Sequence, residues 1–420
     1  MFSKSAPLHR RLGRGRALLA GVGSVALALA LAACGTGGSS TSAKGTTDVA
    51  APAAGQCGSV PVQAPQDPGG VLAALPKEIQ ANYNLFGTPV VASAWAGWKP
   101  KHDAPYTVGI LWQPPLNPFV TSTHDALTKA LKDSGKVNVI ADLAPQGPTD
   151  VPGSLQQFGQ IVAKKPDLII AFPLAPEPFV KPISEAGAAG IPVVTAWSSV
   201  PSEYAVSVAA NTALSSAKQA AQVLTAMGGK GSVLQIHGIP GITSDNNTFA
   251  GFKAALSLCP DVKVAGEVTG NFSSAAAKAA TLQFLSTHPA GVGGVFQSGV
   301  MTPGVVQAFE QLGKPVPPIA DVGSTQGSLA YFAKNQKALV AGVSTPDEAI
   351  GQAPARVALR ILAGNGPKVN QIITLQKPIT RDNLGDVVQP GWDPASAADA
   401  WIPGDQLFTD GELDSYFGAK

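Results

Sequence analysis

From Tyr106 onward the chain alternates short apolar runs with stretches whose apolar positions recur every three to four residues. The runs at 108–112, 137–141, 168–172, 192–195, 232–236, 262–268, 294–296, 318–321 and 339–343 predict strands, most of them buried on both faces. Between them the periodicity predicts helices over 123–133, 154–164, 178–188, 215–226, 246–257, 274–286, 303–312, 328–333 and 347–362. So many strand–helix units exceed what one compact sheet commonly holds. Two similar α/β lobes with parallel sheets, divided between residues 208 and 211, accommodate them.

Both ends lose this alternation. Residues 1–33 hold Lys4, Arg10, Arg11, Arg14 and Arg16, followed by an uncharged stretch over 17–33. A basic region, an apolar region and small residues before a cut predict an export signal. The segment Leu31-Ala32-Ala33-Cys34 resembles a bacterial lipobox, which implies lipid on Cys34. A plain membrane anchor is the alternative, but the apolar stretch is short for a span of roughly 20 residues. Arg10-Arg11 hints at twin-arginine export, although the residues after the pair fit poorly. Residues 34–70 are rich in Gly, Ser, Thr, Ala and Pro and read as a flexible tether. Residues 71–104 carry a helical pattern over 72–83 and then Trp95 and Trp98, expected to pack on the body. Residues 383–420, with Trp392, Trp401 and Phe408, read as a tail wrapped over it.

Composition narrows the classes. The net charge is +2 and the signal carries most of the basic excess, so no basic stripe points to nucleic acid. Charged residues are only 13% of the chain, against the usual quarter, which predicts a weakly charged surface. Removal of the signal leaves Cys57 and Cys259 in an oxidising compartment, where a disulfide is favoured over two free thiols.

Residues 106–380 resemble the type I periplasmic sugar-binding proteins, the ribose and xylose receptor branch of the ABC importers. The match runs through Tyr106-Thr-Val-Gly-Ile-Leu, Leu116-Asn117-Pro118-Phe119, Lys165-Pro166-Asp167-Leu168-Ile169-Ile170 and Ala189-Gly190-Ile191-Pro192-Val193-Val194-Thr195. It continues with Gly238-Ile239-Pro240-Gly241 and Thr287-His288-Pro289. The resemblance implies two Rossmann-like lobes joined by a three-crossing hinge near Val208, Thr345 and Gln371. Lobe one would be 105–208 and 346–370, and lobe two 209–345 and 371–382. Ligands in such folds lie between the lobes, beyond the carboxyl ends of the strands. No helix-turn-helix precedes Tyr106, which separates the chain from the DNA-binding repressors of the same fold.

The loop after the first strand offers aromatic faces at Trp112 and Phe119 and amide groups at Gln113 and Asn117, the mixture a sugar requires. For Trp112 a core position is an equal alternative. Carried over from the resemblance, the ligand contacts fall on Asn117, Phe119, Trp197, Ser198, Asn246, Phe272, Ser298, Gly323 and Thr345. Several depart from the pentose-receptor pattern. Trp197-Ser198 stands for an Asp-Arg pair, Asn246 for an arginine, Ser298-Gly299 for Asn-Asp, Gly323 for an aspartate and Thr345 for a glutamine. Charged hydroxyl clamps have given way to uncharged or aromatic groups, and charged hydrogen bonds are roughly twice as strong as neutral ones. Asp245, Asp321, Asp347 and Glu348 are the acids near strand ends, with helix capping the preferred reading of Asp347.

No Gly-x-Ser-x-Gly elbow, phosphate loop or metal-ligand spacing appears, so an enzyme is disfavoured and no cofactor or metal is expected. The expectation is a monomeric, lipid-anchored receptor on the outer face of the cell membrane, binding a carbohydrate or related molecule by hinge closure for an ABC permease. A more apolar or aromatic ligand, or a membrane sensor in place of the permease, is the alternative.

Overall fold

The computed structural model describes residues 56–418. The export signal, Cys34 and the tether up to residue 55 lie outside the described residues. A short helix α1 (Lys77–Gln80) precedes the first lobe, which begins β1 (Tyr106–Leu111), α2 (Pro118–Asp133), β2 (Val137–Leu143), α3 (Val151–Ala163), β3 (Leu168–Ala171) and α4 (Val180–Ala188). It continues through β4 (Val193–Ala196) and β5 (Ala205–Ala210). The second lobe comprises α5 (Thr212–Ala226), β6 (Gly231–His237), α6 (Thr243–Leu256), β7 (Val262–Thr269), α7 (Ser274–Thr287) and β8 (Gly294–Gln297). After α8 (Thr302–Gln311), β9 (Ile319–Asp321), α9 (Gln326–Lys334) and β10 (Ala341–Val343), the chain returns to lobe one as α10 (Asp347–Leu362) and β11 (Gln371–Thr374). Then come β12 (Pro378–Ile379), α11 (Leu384–Val387) and α12 (Asp410–Ser415).

Each lobe carries a six-stranded sheet, ordered β11-β5-β4-β3-β1-β2 in lobe one and β12-β10-β9-β8-β6-β7 in lobe two. All pairings are parallel except β10 with β12. This is the type I periplasmic-binding fold. Strands β3, β4, β5, β8, β9 and β11 are buried along their whole length, as continuous apolar runs covered by helices on both faces require.

The lobe boundaries differ from expectation at the third crossing. The resemblance implies that residues 371–382 belong to lobe two, but β11 pairs in parallel with β5 and completes the sheet of lobe one. The chain therefore crosses after Thr374, at 375–377. Both β5 and β11 escape the apolar-run criterion because buried polar residues interrupt them. Ser207 on β5 shares a hydroxyl–hydroxyl hydrogen bond with Thr195 Oγ1 at 2.9 Å and accepts from Val200 N at 3.1 Å. On β11, Gln371 Nε2 donates to Val200 O at 3.0 Å.

The tether is also shorter than expected, because residues 56–70 are laid along the body. Gln63 N donates to Asn84 Oδ1 at 2.7 Å, Val90 N to Gln66 O at 2.8 Å, and Asp67 accepts from Val71 N and Leu72 N. Cys57 is disulfide-bonded to Cys259 at the end of α6. The helical pattern over 72–83 is broken into short turns, Val71–Ala74, Lys77–Gln80 and Ala81–Tyr83. Leu72, Leu75, Ile79, Tyr83, Phe86, Val90 and Trp95 of this segment enter the core of lobe one. Trp95 donates from Nε1 to Tyr204 O at 2.8 Å and stacks edge-on against Trp98, so both tryptophans serve packing.

The two terminal segments each touch both lobes. Val60 and Leu85 pack beside α5 of lobe two, while Leu72, Leu75, Ile79, Tyr83, Phe86, Val90 and Trp95 pack on lobe one. At the other end Leu384, Val387 and Ala400 join the core of lobe two, whereas Leu407, Phe408, Leu413, Tyr416 and Phe417 join that of lobe one. The open edge of β11 is covered by both segments. Tyr83 OH donates to Gln371 O at 2.6 Å, and Tyr416 OH donates to Ile373 O. An edge strand so covered offers no free ladder for another chain.

The tail also buries a carboxyl. Asp399 is 5% exposed and its Oδ2 has no hydrogen-bond partner. Burial, with the charge of Asp347 adding to it, pushes its carboxyl up from 3.8 to about 8. The folded state thus holds the proton more tightly than the unfolded chain does. Its stabilising contribution is complete below pH 3.8 and is lost as pH rises through about 8. Asp399→Asn is expected to flatten the fall of Tm between pH 4 and 8. Identical pH profiles of Tm for the two proteins would contradict this.

Candidate functional site

The cleft between the sheets is walled by the loops that follow the carboxyl ends of the strands. Lobe one contributes Leu116, Asn117, Phe119 and Val120 after β1, Phe172 and Leu174 after β3, and Trp197 after β4. Lobe two contributes Ile239, Ile242, Ser244 and Thr248 after β6, Phe272 after β7, Ser298, Gly299 and Val300 after β8, and Val322 and Gly323 after β9. Each hinge crossing adds one residue: Thr212, Thr345 and Gln376. The space between the walls is about 810 Å³, open solvent at its mouth included.

Local sequence explains how these side chains are held. Asn117 caps α2 by accepting from Val120 N at 3.1 Å, with Pro118 at the first helical position. This fixes where Phe119 begins the helix. Trp197, Phe272 and Val300 all adopt left-handed backbone, at φ 52°, 51° and 51°. Such conformations cost bulky side chains roughly 1–3 kcal/mol and gather at ligand sites. Trp197 N is anchored on Val208 O at 2.9 Å, which aims the ring past the end of β4 and to 6.0 Å from Phe119. Phe272 lies against Gly238, where a Cβ would stand 2.0 Å from its Cζ, so only glycine leaves space for the ring.

Seven of the residues expected from sequence meet at this cavity: Asn117, Phe119, Trp197, Phe272, Ser298, Gly323 and Thr345. Four do not line it. Trp112 is 3% exposed, packs edge-on against Phe172 and donates from Nε1 to Val120 O at 3.3 Å, a core position. Gln113 is buried with its Nε2 on Phe172 O. Ser198 turns inward behind Trp197, its carbonyl accepting from Thr195 Oγ1 at 2.7 Å. Asn246 is exposed and reaches back to Gly241 O at 3.3 Å. On α6 the cavity face is set by Ser244 and Thr248, one turn apart, and Asn246 lies two residues from each on the far side. That spacing was readable from helical periodicity. The contributions of Thr212 and Gln376 depend on where the crossings fall, which the sequence placed only roughly.

Among the described residues, no charged side chain lines the cavity. The acids near the strand ends are occupied elsewhere. Asp245 accepts from His237 Nδ1 and Gly238 N, both at 2.7 Å. Asp321 is fully buried and accepts from Thr302 Oγ1 at 2.6 Å, Ser328 Oγ at 2.8 Å and Gln297 Nε2 at 3.2 Å. Burial raises its carboxyl above the ordinary value, and those hydrogen bonds pull it back. Asp347 is the first residue of α10, where a carboxylate complements the helix dipole, and Pro346 holds the cap position. Glu348 is exposed and accepts from Gln352 Nε2 at 3.1 Å. Three polar atoms of the lining, Ser298 Oγ, Thr345 Oγ1 and Gln376 Oε1, are buried without a hydrogen-bond partner.

Among solved structures, the chain is similar to an ABC transporter solute-binding protein from Bacillus halodurans with bound myo-inositol. The identity is 19%, the TM-score 0.60, and the match covers 68% of this chain and 98% of that one. A solute-binding protein from Thermobispora bispora matches at 22% identity and TM-score 0.60, over 69% and 90% of the chains. The arabinose-binding component from Shewanella sp. ANA-3, bound to L-arabinofuranose, matches at 19% and 0.59, over 66% and 93%. No curated protein sequence matches. The family described as periplasmic binding protein domain matches residues 108–366, well over half of the sequence, and with two parallel-sheeted lobes around one cleft the chain belongs to that family.

Proposed function

We propose that this protein is the extracytoplasmic solute-binding receptor of an ABC importer. It would be held at the membrane by lipid on Cys34 and would take a sugar or sugar-like molecule into the interlobe cleft. The observation that carries the reading is the cavity itself, walled by both lobes and by all three crossings, so that ligand contacts and hinge geometry are the same residues. A ligand touching both walls binds the closed form better and shifts the population toward it, offering a permease a surface the open form lacks. The bound myo-inositol and arabinofuranose of the similar structures support a polyhydroxylated ligand. Binding rather than catalysis fits a family of binding proteins and a cavity without charged side chains.

A thermal-shift screen of sugars, polyols, nucleosides and aromatic acids on the mature protein tests this. A true ligand at about 100 times its Kd stabilises by about 2.7 kcal/mol, enough to raise Tm by several degrees. Shifts from non-sugars alone would overturn the sugar assignment. For the anchor, Cys34→Ser is expected to move the protein from the membrane fraction to the soluble one.

A further inference from the structure

Four aromatic residues line the cavity, Phe119, Phe172 and Trp197 from lobe one and Phe272 from lobe two, set among aliphatic side chains such as Ile239 and Val300. A free monosaccharide carries hydroxyls around its whole rim, and in a closed cleft each needs a partner. The lining supplies a limited set. Asn117 Oδ1 is committed to capping α2, and Thr248 Oγ1 donates to Ser244 O at 2.8 Å. Ser298 Oγ, Thr345 Oγ1 and Gln376 Oε1 are buried without a hydrogen-bond partner, and the last two sit on the hinge crossings. Asn117 Nδ2, Thr212 Oγ1 and Ser244 Oγ are the further polar groups of the lining. The cavity is thus amphipathic, these groups being set among aromatic and aliphatic side chains. An ionised ligand would lie there without a counter-charge: the lining holds no Lys or Arg for an anion, and Asp245 and Asp321 are turned away from a cation and already hydrogen-bonded.

Resting on the receptor reading above, we propose that the ligand is a neutral glycoside with an aromatic aglycone. Its sugar hydroxyls meet Ser298, Thr345 and Gln376, and its flat ring lies among Phe119, Trp197 and Phe272. Ring faces of this kind gain from offset or edge contacts beyond the area they bury.

Calorimetric titration of the mature protein with matched pairs tests the assignment: D-glucose against phenyl β-D-glucopyranoside, and D-ribose against adenosine. The charged 4-carboxyphenyl β-D-glucopyranoside completes the set. At least one neutral aryl compound is expected to bind about tenfold or more tighter than its parent sugar, with the carboxylate at least about tenfold weaker than the phenyl glucoside. In Phe272→Ala the preference for the aryl compound over its parent is expected to fall to within about threefold. Parent sugars binding as tightly as the aryl compounds would overturn the aglycone assignment and leave the sugar-receptor reading standing. So would equal binding of the carboxylate, or an undiminished preference in Phe272→Ala. Failure of every sugar and every glycoside to bind would overturn both.

Discussion

Trp197→Ala is expected to cut the ligand-induced rise in Tm to about a third or less while leaving the folded receptor intact. The indole is the largest side chain at the cavity, it packs on Phe119 at 6.0 Å, and it stands half-buried at the end of β4. Truncating an aromatic anchor of this kind costs about 2–4 kcal/mol of binding, or at least about 30-fold in Kd. The fold should tolerate the loss because the backbone at 197 is fixed independently of the ring. Trp197 N pairs with Val208 O within the sheet, and Ser198 O is held by Thr195. The left-handed conformation at φ 52° strains alanine as it strains tryptophan, so the substitution neither relieves nor adds backbone cost. Trp197→Phe keeps an apolar ring and is expected to retain most binding. Calorimetry reports the affinity, and unliganded thermal unfolding reports the fold. Unchanged affinity in Trp197→Ala would remove Trp197 from the ligand site.

How much of this was legible beforehand depended on what each residue does. Strands buried on both faces announce themselves as apolar runs, so the alternation of strands and helices after Tyr106 was visible. β5 and β11 were not, since Ser207 and Gln371 make buried hydrogen bonds that look like surface polarity in one dimension. Both strands flank hinge crossings, which is why the third crossing was misplaced by several residues. At the site, the positions after strand ends were legible because topology alone puts them in the cleft. Trp112 and Gln113 follow β1 just as closely, yet Trp112 fills the space above Phe172 and Gln113 bonds to that residue's carbonyl. Whether a polar or aromatic residue faces a cavity or a neighbouring strand is decided by side-chain direction, which sequence spacing does not carry. Asn246 failed for a related reason: family position suggested it, but the rotation of α6 presents Ser244 and Thr248 instead.

Removal of the Cys57–Cys259 bridge is expected to cause the largest loss of stability of any change outside the core. The bond joins residues 202 positions apart and ties the N-terminal segment to lobe two. Cross-linking a loop of that length removes conformational entropy from the unfolded chain worth about 5 kcal/mol, and measured losses commonly fall between about 2 and 5 kcal/mol. Cys259 is 1% exposed and packed among Val262, Phe252 and Ala255, so alanine, which brings no hydroxyl to bury, isolates the effect of the bridge. The bridge also has no redundant partner nearby. Beyond Cys57 the chain returns to lobe two only through Val60 and its neighbours before it leaves for lobe one at Leu72. Without the bond, that stretch is held by a handful of apolar contacts and by its hydrogen bonds to residues 84–90. The double variant Cys57→Ala/Cys259→Ala should therefore unfold at a lower denaturant concentration, by the equivalent of about 3–5 kcal/mol. Residues 56–70 should become sensitive to limited proteolysis while the two lobes stay resistant. Added reductant should lower the wild type toward the double variant and leave the variant unchanged. Equal unfolding midpoints for the two proteins in non-reducing buffer would show that the bridge contributes nothing to stability.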